Sequence, residues 1–295
     1  MEQLLDTDFE VLEKCPWDDA SAETGEYLYT DDMGCEVLRC KSCGILYAKR
    51  RLNNHGLPKY WGDYLSRIHM HDQDLVDKRN QMYQIDYEFS RLYVSEGDVL
   101  DVGCGNGSFM DVYEAHGYKA FGVEYGKEAA VAAEKRHNVR YGVFNEMDFG
   151  TQKFDLIIFR GVLQYIPQPK AYLEKAISLL RPRENGDSKR GGYLFITAQP
   201  NMNSMALRLF GKQCGLAVTG ADFIGYTETA LTKYFMEKGL RKKGERYFYP
   251  ETPYANEEED LLKMAEAVNR KRAGKSIDFS APAYWGNMMT LMYER

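Results

Sequence analysis

Two short stretches of the chain carry residue types whose spacing could do chemistry. The first is Val99-Leu100-Asp101-Val102-Gly103-Cys104-Gly105-Asn106-Gly107-Ser108. An apolar run ends in an acid, three alternate glycines follow, and a helical pattern begins. Gly103 and Gly105 let the backbone turn tightly and approach a ligand with no Cβ in the way. The helix behind them offers free N–H groups to a polar ligand end. Dinucleotide-binding turns occupy the same place, but two details differ here. The third glycine falls at Gly107, with Ser108 where the dinucleotide fingerprint has Gly or Ala. Asp101 would repel a phosphate and favour a cationic group. Further on, Gly122-Val123-Glu124-Tyr125 closes a second apolar run with an acid. Its distance from Asp101 is close to the roughly 20 residues expected of a carboxylate that binds ribose hydroxyls, and Tyr125 is placed to pack against a base.

The second stretch is a pair of cysteine turns. Cys40-Lys41-Ser42-Cys43-Gly44 is a C-x-x-C knuckle followed by the glycine that lets the turn close around a metal. Cys15-Pro16-Trp17-Asp18 has the same shape, with Asp18 where a second cysteine is expected. Cys35 lies on an expected strand and points to the other face. The expected ligand set is Cys15, Asp18, Cys40 and Cys43, around a structural zinc. In a reducing compartment such spacings indicate metal rather than disulfides.

The elements that must position these groups alternate along the chain. Apolar strands are expected at 99–102, 120–123, 139–141, 154–159 and 193–197. Helices are expected over 72–94, after the glycine turn, over 127–136 and along the Leu173–Leu180 stripe. That order implies an α/β fold, a parallel sheet covered by helices on both faces. A polar loop fills 183–191. Beyond it come a helix over 228–238 ending at Gly239, a strand at 246–249, a helix carrying Leu261, Met264, Ala265 and Val268, and a last strand at 288–293.

With Glu124, Asp101–Ser108 resembles the S-adenosylmethionine (SAM) binding motif of class I methyltransferases. Phe154–Gln164 resembles that family's fourth strand and the loop after it. Leu179-Leu180-Arg181-Pro182, then Gly191-Gly192-Tyr193-Leu194, resembles the run before its fifth strand, split by an inserted loop. The resemblance covers about 75–295. It implies a Rossmann-like seven-stranded sheet with the last strand antiparallel, the 246–249 and 288–293 strands forming the final pair. It implies SAM as cofactor, bound by Asp101, Gly103, Cys104, Gly105, Asn106, Glu124, Tyr125, Phe144 and Arg160. The front end resembles the zinc ribbon that precedes the methyltransferase domain in bacterial deoxysugar and surface-polysaccharide enzymes, and Ala281–Met288 resembles their C-terminal end. The implied organisation is a ribbon at 1–58, an aromatic lid segment (Tyr60-Trp61-Gly62-Asp63-Tyr64) with the leading helix at 59–96, and the methyltransferase domain at 97–295.

Methyl transfer from a sulfonium demands positioning above all, and a hydroxyl acceptor also gains from a general base. The family's Glu-His pair after strand four reads Gln164-Tyr165 here. Its later histidine region reads Asp222-Phe223-Ile224-Gly225-Tyr226. Candidates are Tyr165, Asp222, Tyr226, His69 and His71, with Tyr165 and Asp222 preferred; His116 and His137 read as structural. The missing histidines mean either another base or an acceptor oxygen that is already ionised. A net charge of −6 without a basic face argues against nucleic acid as partner. No apolar run reaches the roughly 18–20 residues of a membrane span, and the N-terminus is no secretory signal, so a cytoplasmic enzyme with no membrane insertion is expected. Its acceptor is expected to be a small molecule or glycan. The alternative is a catalytically silent SAM-binding scaffold whose ribbon holds a partner. Nothing in the sequence speaks to oligomeric state.

Overall fold

The computed structural model describes residues 4–61, 73–183 and 191–295. The front end is a set of short strands: β1 (Phe9–Val11), β2 (Glu26–Thr30), β3 (Glu36–Arg39), β4 (Leu46–Ala48) and β5 (Arg50–Leu52). β1 pairs with β5, and β2, β3 and β4 form an antiparallel sheet. A short helix α1 (Gly56–Trp61) and the long leading helix α2 (Gln73–Ser90) follow.

The main domain then alternates as the apolar periodicity requires: β6 (Asp98–Val102), α3 (Ser108–Ala115), β7 (Lys119–Glu124), α4 (Lys127–Glu134), β8 (Asn138–Tyr141), β9 (Leu156–Arg160), α5 (Pro169–Leu179) and β10 (Tyr193–Pro200). The tail adds α6 (Met205–Phe210), β11 (Ile224–Gly225), α7 (Glu228–Glu237), β12 (Arg241–Arg246), α8 (Glu257–Arg272) and β13 (Met288–Glu294). Seven strands make one sheet in the order β12-β13-β10-β9-β6-β7-β8, with β13 antiparallel to both neighbours. The Rossmann-like arrangement with its antiparallel last strand is therefore present. Leu156–Phe159 of β9 are fully buried, which is why this central strand reads as an unbroken apolar run. Strand order reverses between β6 and β9, and the carboxyl ends of strands at such a switch point are where open α/β sheets bind ligands.

One expected element moves. The strand expected at 246–249 is instead β12 at Arg241–Arg246, and it starts right after the turn at Gly239, whose φ is +83°. β12 lies at the edge of the sheet and is mostly exposed, so its charged residues carry no apolar alternation to mark it. Among the described residues, no helix is long and apolar enough to cross a membrane.

The front end and main domain share structure. β11, from the main domain, pairs antiparallel with β4 and completes the front sheet as its fourth strand. Trp17 of the first cysteine turn is buried against Tyr226 and Tyr234, with ring centroids 5.4 and 5.0 Å away. Leucines and aromatics from both regions form one continuous core.

A buried polar clamp holds α2 onto the sheet. Asp86 accepts from Arg160 Nε at 2.8 Å and from Thr197 Oγ1 at 2.6 Å, and Thr197 also meets Thr290 at 2.9 Å. Burial pushes the Asp86 carboxyl up, opposed by the Arg160 charge. Removing one partner of a buried pair strands the other charge, at a cost of about 3–5 kcal/mol. Asp86→Ala should therefore lower unfolding free energy in urea by that amount, whereas unchanged stability would show that the clamp carries no net energy.

Candidate active site

The glycine turn between β6 and α3 puts each of its three glycines in the left-handed region, at φ +79°, +56° and +86° for Gly103, Gly105 and Gly107. Their surroundings differ. A Cβ on Gly103 would strike Val162 at 2.6 Å, and one on Gly107 would strike the His137 ring at 2.5 Å. A Cβ on Gly105 would meet nothing within 4 Å. The flanking glycines are thus required by close packing, while Gly105 faces open space where a ligand can lie against bare backbone.

Acids frame that space. Asp101, near the end of β6, is 4% exposed, and its Oδ1 has no hydrogen-bond partner. Burial pushes its carboxyl up to about 7, with Arg160 opposing and Glu124 reinforcing. Glu124, at the end of β7, accepts from the Gly105 N–H at 2.8 Å and the Gly126 N–H at 2.6 Å. Burial raises its pKa also, and those amides oppose the rise. The Tyr125 amide also bonds this carboxylate, and with about four acceptor positions it keeps room for one hydroxyl donor. The neighbouring Tyr125 ring is 60% exposed, free to take a flat base. Further unpaired buried atoms, on Gln164 and Gln199, lie just past the end of β9 and near the end of β10. Buried polar atoms without partners are rare in a finished interior and fit a site that awaits a polar ligand.

The remaining expected cofactor contacts serve the scaffold with their side chains. Cys104 points into a small core with Met110, Ala120 and Ala130. Asn106 Oδ1 accepts from the Ser108 amide and hydroxyl at the start of α3. The Phe144 ring is 1% exposed and packs against Phe149, Phe159 and Tyr172. Arg160 is engaged through Nε with Asp86 and lies over the Tyr83 ring at 4.5 Å. Whatever the first three offer a ligand must come from their backbone.

The two favoured base candidates meet. The Tyr165 side chain lies near enough to the Asp222 carboxylate to favour its charged form. Tyr165 lies in a single helical turn just after β9, and Asp222 in a turn whose backbone is tied by Thr219 Oγ1. Thr219 Oγ1 also donates to Asp222 Oδ2 at 3.0 Å. Burial raises the Asp222 pKa, opposed by the Thr219 and Tyr165 side chains. Tyr226 is wholly buried, with its hydroxyl on the Leu163 carbonyl at 3.3 Å, and serves the core. His116 binds the Val112 carbonyl at the end of α3, and His137 is buried beside Gly107, both as structural residues. His69, His71 and Gly62–Tyr64 of the aromatic segment lie outside the described residues.

At the front, Cys15, Asp18, Cys40 and Cys43 converge, their ligand atoms all within 4.8 Å of one another. The two turns match bond for bond. Gly44 N–H donates to Cys40 O at 2.9 Å, and Asp19 N–H donates to Cys15 O at 3.1 Å. Cys40 N–H reaches Ile45 O, and Cys15 N–H reaches Ala20 O. Gly44 and Asp19 both take positive φ, +80° and +60°. Cys15 and Cys43 sulfurs are 3.7 Å apart, and Cys40 Sγ is 3.4 Å from Asp18 Oδ1. A tetrahedral ion with metal–sulfur bonds of about 2.3 Å needs sulfur–sulfur edges of roughly 3.8 Å, so the donors fit zinc. Cys35 stands apart, its sulfur 3.9 Å from Arg50 Nη1.

A glycine loop at the switch point, an acid ending the next strand and an antiparallel seventh strand define a class I, SAM-dependent methyltransferase. The chain belongs to the methyltransferase domain family, whose model matches residues 76–240. The ubiquinone biosynthesis O-methyltransferase of Xanthomonas euvesicatoria pv. vesicatoria is 27% identical over 152 residues, 48% of this chain and 56% of that protein. An uncharacterized protein of Methanocaldococcus jannaschii is 28% identical over 121 residues, 41% of this chain and 53% of that one. The chain thus spans little more than half the length of these relatives. Among solved structures, magnesium protoporphyrin IX methyltransferase from Synechocystis PCC 6803 with bound SAH superposes with TM-score 0.53 at 16% identity. That match covers 82% of this chain and 100% of that one. A SAM-dependent methyltransferase from Thermotoga maritima gives TM-score 0.53 at 16% identity, over 79% and 98%. At such identities the likeness is one of fold.

The buried Asp101 makes ligand binding depend on pH. Below about pH 7 it holds its proton and is neutral; above it the carboxylate attracts a cationic ligand end. Because the folded pKa exceeds the unfolded 3.8, the free protein loses stability from this group as pH rises towards 7. A bound cation offsets that loss. SAM affinity measured by calorimetry should therefore rise from about pH 6 to about pH 8, and Asp101→Asn should flatten the rise. A flat wild-type profile would remove Asp101 from the cationic end of the site.

Proposed function

We propose that the chain methylates a hydroxyl of a small acceptor, a sugar, nucleotide sugar or surface-glycan unit, using SAM held over the glycine turn. The observation that carries this reading is the meeting of Tyr165 and Asp222 beside the carboxyl end of β9. SAM, when bound, supplies an electrophilic methyl group on a sulfonium. Asp101 faces its charged end, Glu124 its ribose hydroxyls and Tyr125 its base. Asp222, whose affinity for a proton burial has raised, takes the acceptor's proton. Tyr165 orients that carboxylate. A phenol with a pKa near 10 is a poor base at neutral pH, so its part is positioning. Glu124→Ala should weaken SAM binding by about 1.5–3 kcal/mol, the worth of hydrogen bonds to a charged group.

With an acceptor in hand, Asp222→Asn should lower turnover by roughly 10²–10⁴-fold, the usual share of a general base. Tyr165→Phe should lower it less, and both should keep SAM affinity. The wild-type rate should climb as pH rises through the Asp222 pKa, and Asp222→Asn should lose that limb. Two variants turning over at the wild-type rate would remove the pair from the chemistry.

We also propose that Cys15, Asp18, Cys40 and Cys43 hold one structural zinc. The matching turns and their spacings support this; a three-sulfur, one-oxygen set is closed, with no open position for catalysis. Protein prepared without chelators should contain about one zinc per chain by elemental analysis. Cys40→Ser with Cys43→Ser should lose it and loosen the front end in hydrogen exchange. Zinc-free wild-type protein with an intact front end would refute the assignment.

A further inference from the structure

A cavity of about 210 Å³ opens between the front sheet and the segment that leads to β11. Tyr29, Asp31, Asp32 and Tyr60 line it from the front end, and Lys212 and Asp222 from the main domain. We infer that this cavity is the acceptor subsite, that it takes the one small ring of the acceptor that bears the hydroxyl or amino groups, and that it rejects an anionic ring; the phosphates of a nucleotide sugar would stay outside it. The inference rests on the proposed methyltransferase reading, because Asp222 lines the cavity and lies near Tyr165.

Size comes first. Liquid water takes about 30 Å³ per molecule, so the cavity has room for about seven waters, the bulk of a single substituted six-membered ring. Pockets for drug-sized ligands run to roughly 300–1,000 Å³, so this cavity matches a single ring of an acceptor, with any remainder lying outside its open side. Charge comes second. Three carboxylates face one ammonium, and that ammonium, on Lys212, is 3.2 Å from Asp32. Asp31 spends its oxygens on the backbone N–H groups of Met33, Cys35 and Gly220. Its charge stays in the wall while its lone pairs hold the turn that carries Asp222. An entering anion would meet net negative charge at short range, whereas hydroxyl or ammonium donors would meet acceptors. The front end therefore contributes to acceptor choice as well as to structure.

The test uses full-length protein loaded with SAH and three probes of equal size: methyl glucoside, glucosamine and glucuronate. Ligand-observed NMR should show the neutral and cationic probes binding at least tenfold more tightly than glucuronate. Asp32 is almost fully exposed, so Asp32→Lys should fold normally and keep SAH affinity. It should lose several-fold on glucosamine and gain on glucuronate. Equal binding of the three probes, no binding of any, or indifference of the order to Asp32→Lys would overturn the subsite while SAH binding leaves the methyltransferase reading in place. Failure of the protein to bind SAH would overturn the reading beneath it.

Discussion

The segment from Thr219 to Tyr226 is the constraint on which the arrangement of the molecule depends. Its backbone is gripped from the front end at four places: Asp31 takes the Gly220 N–H, the Leu52 N–H reaches Gly220 O, the Ala48 N–H reaches Phe223 O, and β11 pairs with β4. At its far end Tyr226 reaches back to Leu163, in the turn that presents Tyr165. One short stretch therefore closes the front sheet, fixes the Asp222 turn and docks against the loop after β9. Hydrogen bonds of this kind contribute only about 1 kcal/mol each. Their value lies in orientation, because they leave Asp222 a single position relative to Tyr165.

Electrostatics at the carboxyl end of the sheet work through burial. Asp101 and Glu124 repel one another in a poorly solvated region, and the Arg160 charge opposes the rise in pKa of both Asp101 and Asp86. Arg160 is already bound to Asp86 through Nε. Burial and the repulsion between Asp101 and Glu124 make it costly to keep both carboxylates charged. A cationic group beside them would lower that cost.

Much of this was legible in the sequence because the signals are local. The glycine turn and the alternation of strands and helices follow from backbone sterics and hydrophobic period, and they appear where expected. The metal-type cluster was also readable, even with Asp18 in place of cysteine, because each turn is closed by its own backbone. Edge strand β12 was misplaced because an exposed strand has no apolar period to read. The side chains of Cys104 and Phe144 turned out to face the core, since a motif marks a position without marking which way it points. The Asp86 clamp and the cavity had no local signal at all. Their members are far apart in the chain, and only the packing of α2 and of the front end brings them together. A hint was available for the Asp222 turn: Thr219-Gly220-Ala221-Asp222 has the composition of a side-chain-capped turn.

The division between inherited and private features follows the same line. The family match at 76–240 contains the glycine turn, Glu124, Tyr165 and Asp222. It excludes Tyr29, Asp31, Asp32 and Tyr60, which make the other wall of the cavity. The likeness at 16% identity to magnesium protoporphyrin IX methyltransferase is one of fold and does not extend to the acceptor. Here the other wall of the cavity comes from the front end, which carries the two matched turns. The cavity that Asp222 lines measures about 210 Å³. The cysteine turns and the cavity are joined through the front sheet: Cys40 lies between β3 and β4, β4 pairs with β11, and the segment leading to β11 carries Asp222.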